Sequence, residues 1–122
     1  MPSYPAAEQL VLELFVRDFA RSLAFYQALG FQVERQEEAF AVLRFEGCEF
    51  LIEGSQKLGE IPARPAANVR IMVDDVDAKW ALALELSAPV FNPIADRYYG
   101  LRDFTVLDPD GFGVRFASPI RK

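Results

Sequence analysis

Apolar residues alternate with polar ones in the opening segment of the chain, which predicts a strand over residues 8–17. Asp18 follows as a helix N-cap, and the apolar spacing after it predicts a helix that ends near Gly30. Three more strands are predicted, over residues 31–36, 40–45 and 48–53. The strand residues expected to pack under the helix are Leu10, Leu12, Leu14, Cys48, Phe50 and Ile52.

The same order of elements restarts after a linker over residues 55–66. Asp75 lies 57 residues after Asp18 and is again an N-cap between a strand and a helix. The elements of this half are a strand at 68–74, a helix at 76–87 and strands at 90–94, 101–107 and 112–117. We therefore predict a single α+β domain of two βαβββ modules, about residues 8–54 and 67–118. Their curved mixed sheets would enclose a cleft, with the helices on the outer face.

Composition and charge exclude several classes of function. The net charge of −5, from 18 acidic and 13 basic residues, argues against nucleic-acid binding. The chain has no histidine, so it has no histidine-assisted nucleophile and no imidazole metal ligand. Cys48 has no disulfide partner, and neither a signal peptide nor a run of about 20 apolar residues is present. We expect a cytoplasmic protein that does not bind membranes.

Several motifs in order resemble one family. They are Val16–Phe31, which contains an Asp…Ser…Phe-Tyr…Leu-Gly-Phe pattern, and the segments Val73–Ala78, Tyr99–Phe104 and Leu107–Gly111. This order resembles the vicinal oxygen chelate superfamily, which contains glyoxalases, bleomycin resistance proteins and dioxygenases. The resemblance implies four metal-ligand positions, which correspond here to Val11, Glu49 (or Leu51), Asn68 and Arg115. These residues do not suit a divalent metal, so the resemblance is closest to the metal-free bleomycin-resistance type, with no cofactor.

Strand alternation, taken with those positions, predicts which side chains face the cleft. The predicted ligand-binding residues are Glu13, Phe15, Glu49, Asn68, Arg70, Met72, Arg102 and Arg115. The alternative is that these strands turn a polar face to solvent. Arg102 either reaches the cleft or pairs with an acidic neighbour. Trp80 is expected in the core or at a subunit contact, and Tyr98–Tyr99 either lines a pocket entrance or packs as a loop.

Three functions remain. The first is a homodimeric, metal-independent protein that binds or sequesters a small organic ligand with an apolar ring and polar or cationic groups. The second is a metal-free lyase or isomerase, in which Glu13 or Glu49 acts as general base and Arg70 or Arg115 stabilises an oxyanion. The third is an interaction domain whose cleft is filled by its own side chains.

Overall fold

The chain divides into two compact units, and the boundary along the sequence lies between Glu60 and Ile61. The computed structural model describes residues 3–121. The first unit contains α1 (Ala6–Gln9), β1 (Glu13–Val16), α2 (Phe19–Ala28), β2 (Gln32–Gln36), β3 (Phe40–Phe45) and β4 (Cys48–Gly54). The second contains β5 (Asn68–Met72), α3 (Val76–Glu85), β6 (Val90–Asp96), β7 (Leu101–Leu107) and β8 (Gly113–Pro119). The expectation of a single domain stays a prediction.

Each unit has one open four-stranded sheet, and the two sheets have the same topology. The strand orders are β1-β4-β3-β2 and β5-β8-β7-β6. In each sheet the first and last strands of the unit pair in parallel, and the remaining pairs are antiparallel. The prediction of an α+β fold built from two βαβββ modules is confirmed.

The main helix of each unit begins and ends in the same way. The Asp18 carboxylate accepts a hydrogen bond from the Arg21 N–H, and the Asp75 carboxylate accepts one from the Ala78 N–H, both at 3.1 Å. These bonds satisfy N–H groups that have no partner within the helix. At the other end, Gly30 has φ +109°, and Ser87, at the same 57-residue spacing, has φ +56°. The duplication is therefore visible in the capping geometry.

Aromatic rings form much of the core of each unit. In the first unit the ring of Tyr26 lies 4.9 Å from that of Phe50 and 5.4 Å from that of Phe31. In the second unit the ring of Phe104 lies 5.1 Å from the indole of Trp80. The Phe104 ring also lies 5.7 Å from the buried ring of Phe116. Trp80 thus packs against β7, as expected of a core residue.

Leu10, Leu12 and Cys48, which were predicted to pack under the helix of the first unit, do not do so. The first strand begins at Glu13 rather than at residue 8, and residues 6–9 form a helical turn instead. Leu10 is 93% exposed and Leu12 40% exposed, and both precede Glu13, the first residue of β1, although the Leu12 carbonyl still accepts a hydrogen bond from the Leu51 N–H at 2.9 Å. Cys48 is exposed rather than buried, since it opens β4 directly after the turn at Glu46–Gly47.

A tight turn sets the register of β7 against β8. The Asp108 side chain accepts hydrogen bonds from the N–H groups of Asp110 and Phe112, both at 2.9 Å. Gly111 has φ +81°, a conformation that glycine adopts without strain. As a result Thr105 lies opposite Arg115 in the hairpin. Among residues 3–121, no helix combines the length and the apolar character needed to cross a membrane.

The capping geometry leads to a stability prediction. Asp18→Ala and Asp75→Ala should each lower the free energy of unfolding by about 1 kcal/mol, because each leaves a helix N–H without its acceptor. Urea denaturation measures the change. Asp74→Ala is the matched control, since Asp74 is exposed and lies one residue before a cap. Equal effects at Asp74 and Asp75 would contradict the capping assignment.

Candidate functional site

The face of the second sheet that is turned away from α3 carries a cluster of polar side chains. Phe104 packs against Trp80 of α3, so its neighbours Asp103 and Thr105 point to the other face of β7. Both are buried there, at 3% and 4% exposure. Arg115 joins them from β8, because it is the cross-strand neighbour of Thr105.

The Asp103 carboxylate is the centre of this cluster. Its Oδ2 accepts hydrogen bonds from the Tyr99 hydroxyl at 2.6 Å and from Arg115 Nη2 and Nε at 2.7 and 3.0 Å. Its Oδ1 accepts one from Arg97 Nε at 2.8 Å. Arg97 Nη2 also donates to the Pro93 carbonyl at 2.6 Å, which fixes the guanidinium in place. The buried carboxylate therefore orients two arginines and a tyrosine.

These contacts keep the carboxylate ionised. Burial alone would raise the pKa of Asp103, but the hydrogen bonds from Tyr99, Arg97 and Arg115 outweigh it and hold the pKa below its usual value. The hydrogen bond to Asp103 and the partial burial of Tyr99 raise the pKa of the Tyr99 hydroxyl. Tyr99 consequently stays protonated and remains a donor at neutral pH.

A cavity of about 260 Å³ opens beside this cluster. Its lining residues are Asn68, Asn92, Arg97, Tyr99, Asp103, Thr105 and Arg115. The cavity depends on a close approach of β5 to β8, because a Cβ on Gly113 would lie 2.8 Å from the Cβ of Asn68. A residue larger than glycine at position 113 would push Asn68 away from its place in the lining.

The first unit holds a smaller ionic cluster with the opposite balance of charge. Arg44 Nη2 lies 2.9 Å from Oε1 of Glu34 and 2.9 Å from Oε1 of Glu49. The pKa of the Glu49 carboxyl is raised, first by desolvation and then by Glu34 and Glu8, which together outweigh the attraction of Arg44. Two carboxylates therefore share one guanidinium on this sheet.

Arg102 lies on the helix side of β7, away from Asp103. Its Nη2 is 2.9 Å from Oδ1 of Asp77 in α3, and its Nη1 is 3.2 Å from Oδ1 of Asp96. The sequence left open whether Arg102 reaches the cleft or pairs with an acidic neighbour, and in the structure it pairs with two acidic neighbours. The hydrogen bond from Arg102 lowers the pKa of Asp77.

The other predicted ligand-binding residues do not form one site in either unit. Asn68 and Arg115 line one cavity, whereas Glu49 belongs to the Arg44 cluster of the first unit. The remaining predicted contacts, which lie exposed on the two edge strands β1 and β5, are Glu13, Phe15, Arg70 and Met72. Their role in ligand binding stays a prediction.

Sequence reasoning assigned no role to Asp103 or Arg97. A signal for Asp103 was present, because a turn at residues 108–111 sets Thr105 opposite Arg115 and brings Asp103 one pleat away on the same face. Arg97 gave no comparable signal. It follows β6, whose pairing with β7 shifts register twice, so alternation does not predict where its side chain points.

The family model described as the Glyoxalase/Bleomycin resistance protein/Dioxygenase superfamily matches residues 9–116. The chain belongs to this superfamily. No curated protein matches it by sequence.

Several solved structures have the same fold. A glyoxalase/bleomycin resistance protein/dioxygenase from Alicyclobacillus acidocaldarius is 21% identical with a TM-score of 0.75, over 92% of this chain and 91% of that one. A family enzyme from Burkholderia phytofirmans PsJN is 20% identical with a TM-score of 0.75, over 90% and 97%. TioX from Micromonospora sp. ML1 is 21% identical with a TM-score of 0.73, over 91% and 98%. At these identities the likeness concerns the fold.

The residues that the sequence resemblance predicts at the superfamily's metal positions are poorly suited to a metal. Arg115, at the fourth position, is a cation whose guanidinium is bound to Asp103. Val11, at the first position, has no donor atom in its side chain. Within residues 3–121, no group of three or more Cys, Asp or Glu side chains is arranged to hold a metal ion. These residues do not fit the superfamily's metal.

The Asp103 pKa leads to a prediction about pH. Because the folded-state pKa is below the unfolded value of about 3.9, ionised Asp103 stabilises the fold fully above that value. This contribution is lost as the pH falls through the lower folded-state pKa. Asp103→Asn should therefore cost about 3 kcal/mol at neutral pH, with the difference from wild type shrinking below about pH 4. Urea unfolding across this range measures it.

The control for this experiment is Asp74→Asn, which removes an exposed carboxylate from the same unit. A deficit of Asp103→Asn that stays constant from neutral pH to pH 3 would contradict the ionised, hydrogen-bonded carboxylate.

The poor fit at the metal positions leads to a second prediction. Tag-free protein should contain no stoichiometric transition metal after dialysis, because Val11 and Arg115 contribute no ligand. Elemental analysis of the purified protein measures this. About one Zn, Fe, Ni or Mn per chain that disappears in Glu49→Ala would contradict the prediction.

Proposed function

We propose that this superfamily member binds a small organic molecule and releases it unchanged, as a metal-independent sequestering protein of the bleomycin-resistance type. The binding site in this proposal is the cavity beside Asp103 in the second unit. Membership of a superfamily that includes bleomycin resistance proteins supports it, as does the poor fit of Val11 and Arg115 to a metal.

The observation that carries the proposal is the way that hydrogen bonds stabilise the negative charge of the Asp103 carboxylate. Four hydrogen bonds from Tyr99, Arg97 and Arg115 reach its two oxygens and hold its pKa below the usual value, so ionised Asp103 is a weak acceptor for a substrate proton. Arginine does not give up its proton in proteins. The cavity therefore contains groups that orient a ligand and lacks a general base.

A second candidate function is supported by Glu49. Its raised pKa makes it a better proton acceptor than an ordinary exposed glutamate, and Arg44 lies close enough to stabilise a developing anion. These residues favour metal-free lyase or isomerase chemistry next to a carbonyl group. Glu13, exposed on β1 of the same sheet, is the other general base of this candidate.

The proposed function predicts binding without turnover. In a thermal-shift screen of aromatic antibiotics, glycopeptides and α-keto compounds, at least one compound should raise the melting temperature. At 100 times its dissociation constant it should add about 2.7 kcal/mol of stability. Mass spectrometry after prolonged incubation should recover the compound unchanged. Arg115→Gln should weaken its binding at least tenfold, because the variant removes a partly buried charged contact.

Arg64→Gln is the matched control, since Arg64 is exposed in the same unit and does not line the cavity. Steady conversion of the compound that is abolished by Glu49→Gln or Glu13→Gln would favour the enzyme instead. If no compound in the screen binds, the proposed function is wrong.

A further inference from the structure

We propose that the cavity of the second unit recognises the carboxylate of a monoanionic organic acid. This inference rests on the proposed function, and it names the class of ligand that the site takes. The charges, the unused donors and the size of the cavity each support it.

The charge of the cavity favours an anion. Arg97 and Arg115 each contribute one positive charge, and Asp103 contributes the one negative charge in the lining. Because the pKa of Asp103 is lowered, the carboxylate stays ionised at neutral pH and the lining keeps a net charge of +1. A cationic ligand group would meet two guanidinium ions, whereas a single carboxylate would leave the site neutral.

The cavity also has hydrogen-bond donors that the protein does not use. Among residues 3–121, Nη1 of Arg115 and Nη1 of Arg97 donate to no acceptor, because the bonds to Asp103 and Pro93 use Nε and Nη2. The Thr105 side chain also lines the cavity, on a residue that is only 4% exposed, and its hydroxyl can donate to a ligand there. A carboxylate has lone pairs enough to accept from all three groups.

Asp103 acts in this site as a positioning residue. It holds the two guanidinium groups by their Nε edges, so that their remaining N–H groups keep a fixed direction before a ligand arrives. Guanidinium ions that are already ordered lose less conformational entropy on binding than free arginine side chains. Asp103 also limits the net charge to +1, which favours a monoanion over a dianion such as hydrogen phosphate.

The volume of about 260 Å³ is below that of a cavity which encloses a whole drug-sized molecule. The cavity therefore fits a head group, with the rest of the ligand outside it. Tyr99, half-exposed in the lining, and Tyr98, which is fully exposed, form a ring pair with centroids 5.1 Å apart beside the cavity. Their rings offer a surface on which an apolar or aromatic body can pack.

Calorimetric titration of the full chain with matched probes tests the inference. Benzoate should bind at least tenfold more tightly than its neutral isostere benzamide, and benzylammonium should not bind, because only benzoate accepts charge-assisted hydrogen bonds. Inorganic phosphate separates a carboxylate site from a general oxyanion site, and it should bind more weakly than benzoate. The Arg115 Nε–H resonance should shift with benzoate and not with benzamide.

Two conservative variants test which side chains bind the carboxylate of benzoate. Arg115→Lys keeps a cation beside Asp103 but loses the planar fork, and it should weaken benzoate binding at least tenfold. Thr105→Val removes the hydroxyl and keeps the side-chain shape, so it should weaken binding several-fold with little change in stability. Arg64→Lys is the matched control and should bind benzoate as the wild type does.

Different outcomes overturn the inference and the proposed function. Binding of benzamide or benzylammonium as tight as that of benzoate, or unchanged binding in Arg115→Lys, would overturn the carboxylate site and leave a small-molecule binding protein. Phosphate binding tighter than benzoate would overturn the carboxylate in favour of a phosphate-bearing ligand. If none of the four probes binds, the carboxylate site is wrong, while the compound screen still decides the proposed function.

Discussion

The polar site depends on one buried carboxylate. Asp103 lies in the middle of a sheet at 3% exposure, where an unpaired charge would cost several kcal/mol. Arg97, Arg115 and Tyr99 offset this cost by donating hydrogen bonds to its two oxygens. The same bonds fix the directions of the two guanidinium groups. The stability of the sheet and the arrangement of the cavity are thus linked through one group.

The two units use the same topology for opposite charge arrangements. In the second unit one carboxylate holds two arginines, which gives a cationic cavity. In the first unit one arginine, Arg44, lies between the carboxylates of Glu34 and Glu49, which gives an anionic cluster. A duplicated βαβββ scaffold therefore supports two different polar faces, because strand alternation separates the face under the helix from the face that carries charge.

The parts of the structure that sequence predicted are those set by local rules. The caps at Asp18 and Asp75, the turn at residues 108–111 and the order of strands all follow from spacing and turn chemistry. The prediction failed at Leu10, where an apolar alternation continues beyond the segment that β4 pairs. A period of two describes a strand only where a partner strand is present, and the sequence does not say where pairing begins.

Of the residues that line the cavity, the sequence pointed only to those on regularly paired strands. Asn68 and Arg115 could be found because their strands are regular, so their face follows from alternation. Arg97 could not, since the register shifts in β6 and the course of the chain beyond it decide where its guanidinium lies. Arg102 has a polar, charged side chain in the same strand as Asp103, yet one residue of offset places it beside α3 with Asp77. Residue type alone does not show that Arg97 lines the cavity and that Arg102 does not.

A double-mutant cycle between Asp103→Asn and Arg115→Gln measures how strongly the buried carboxylate and its guanidinium partner stabilise each other. The free energy of unfolding is measured by urea denaturation at neutral pH for the wild type, both single variants and the double variant. We expect a coupling energy of about 2 kcal/mol or more between the two positions, because each group compensates the burial of the other. A coupling energy within about 0.5 kcal/mol of zero would place the pair among ordinary surface ion pairs and contradict the account.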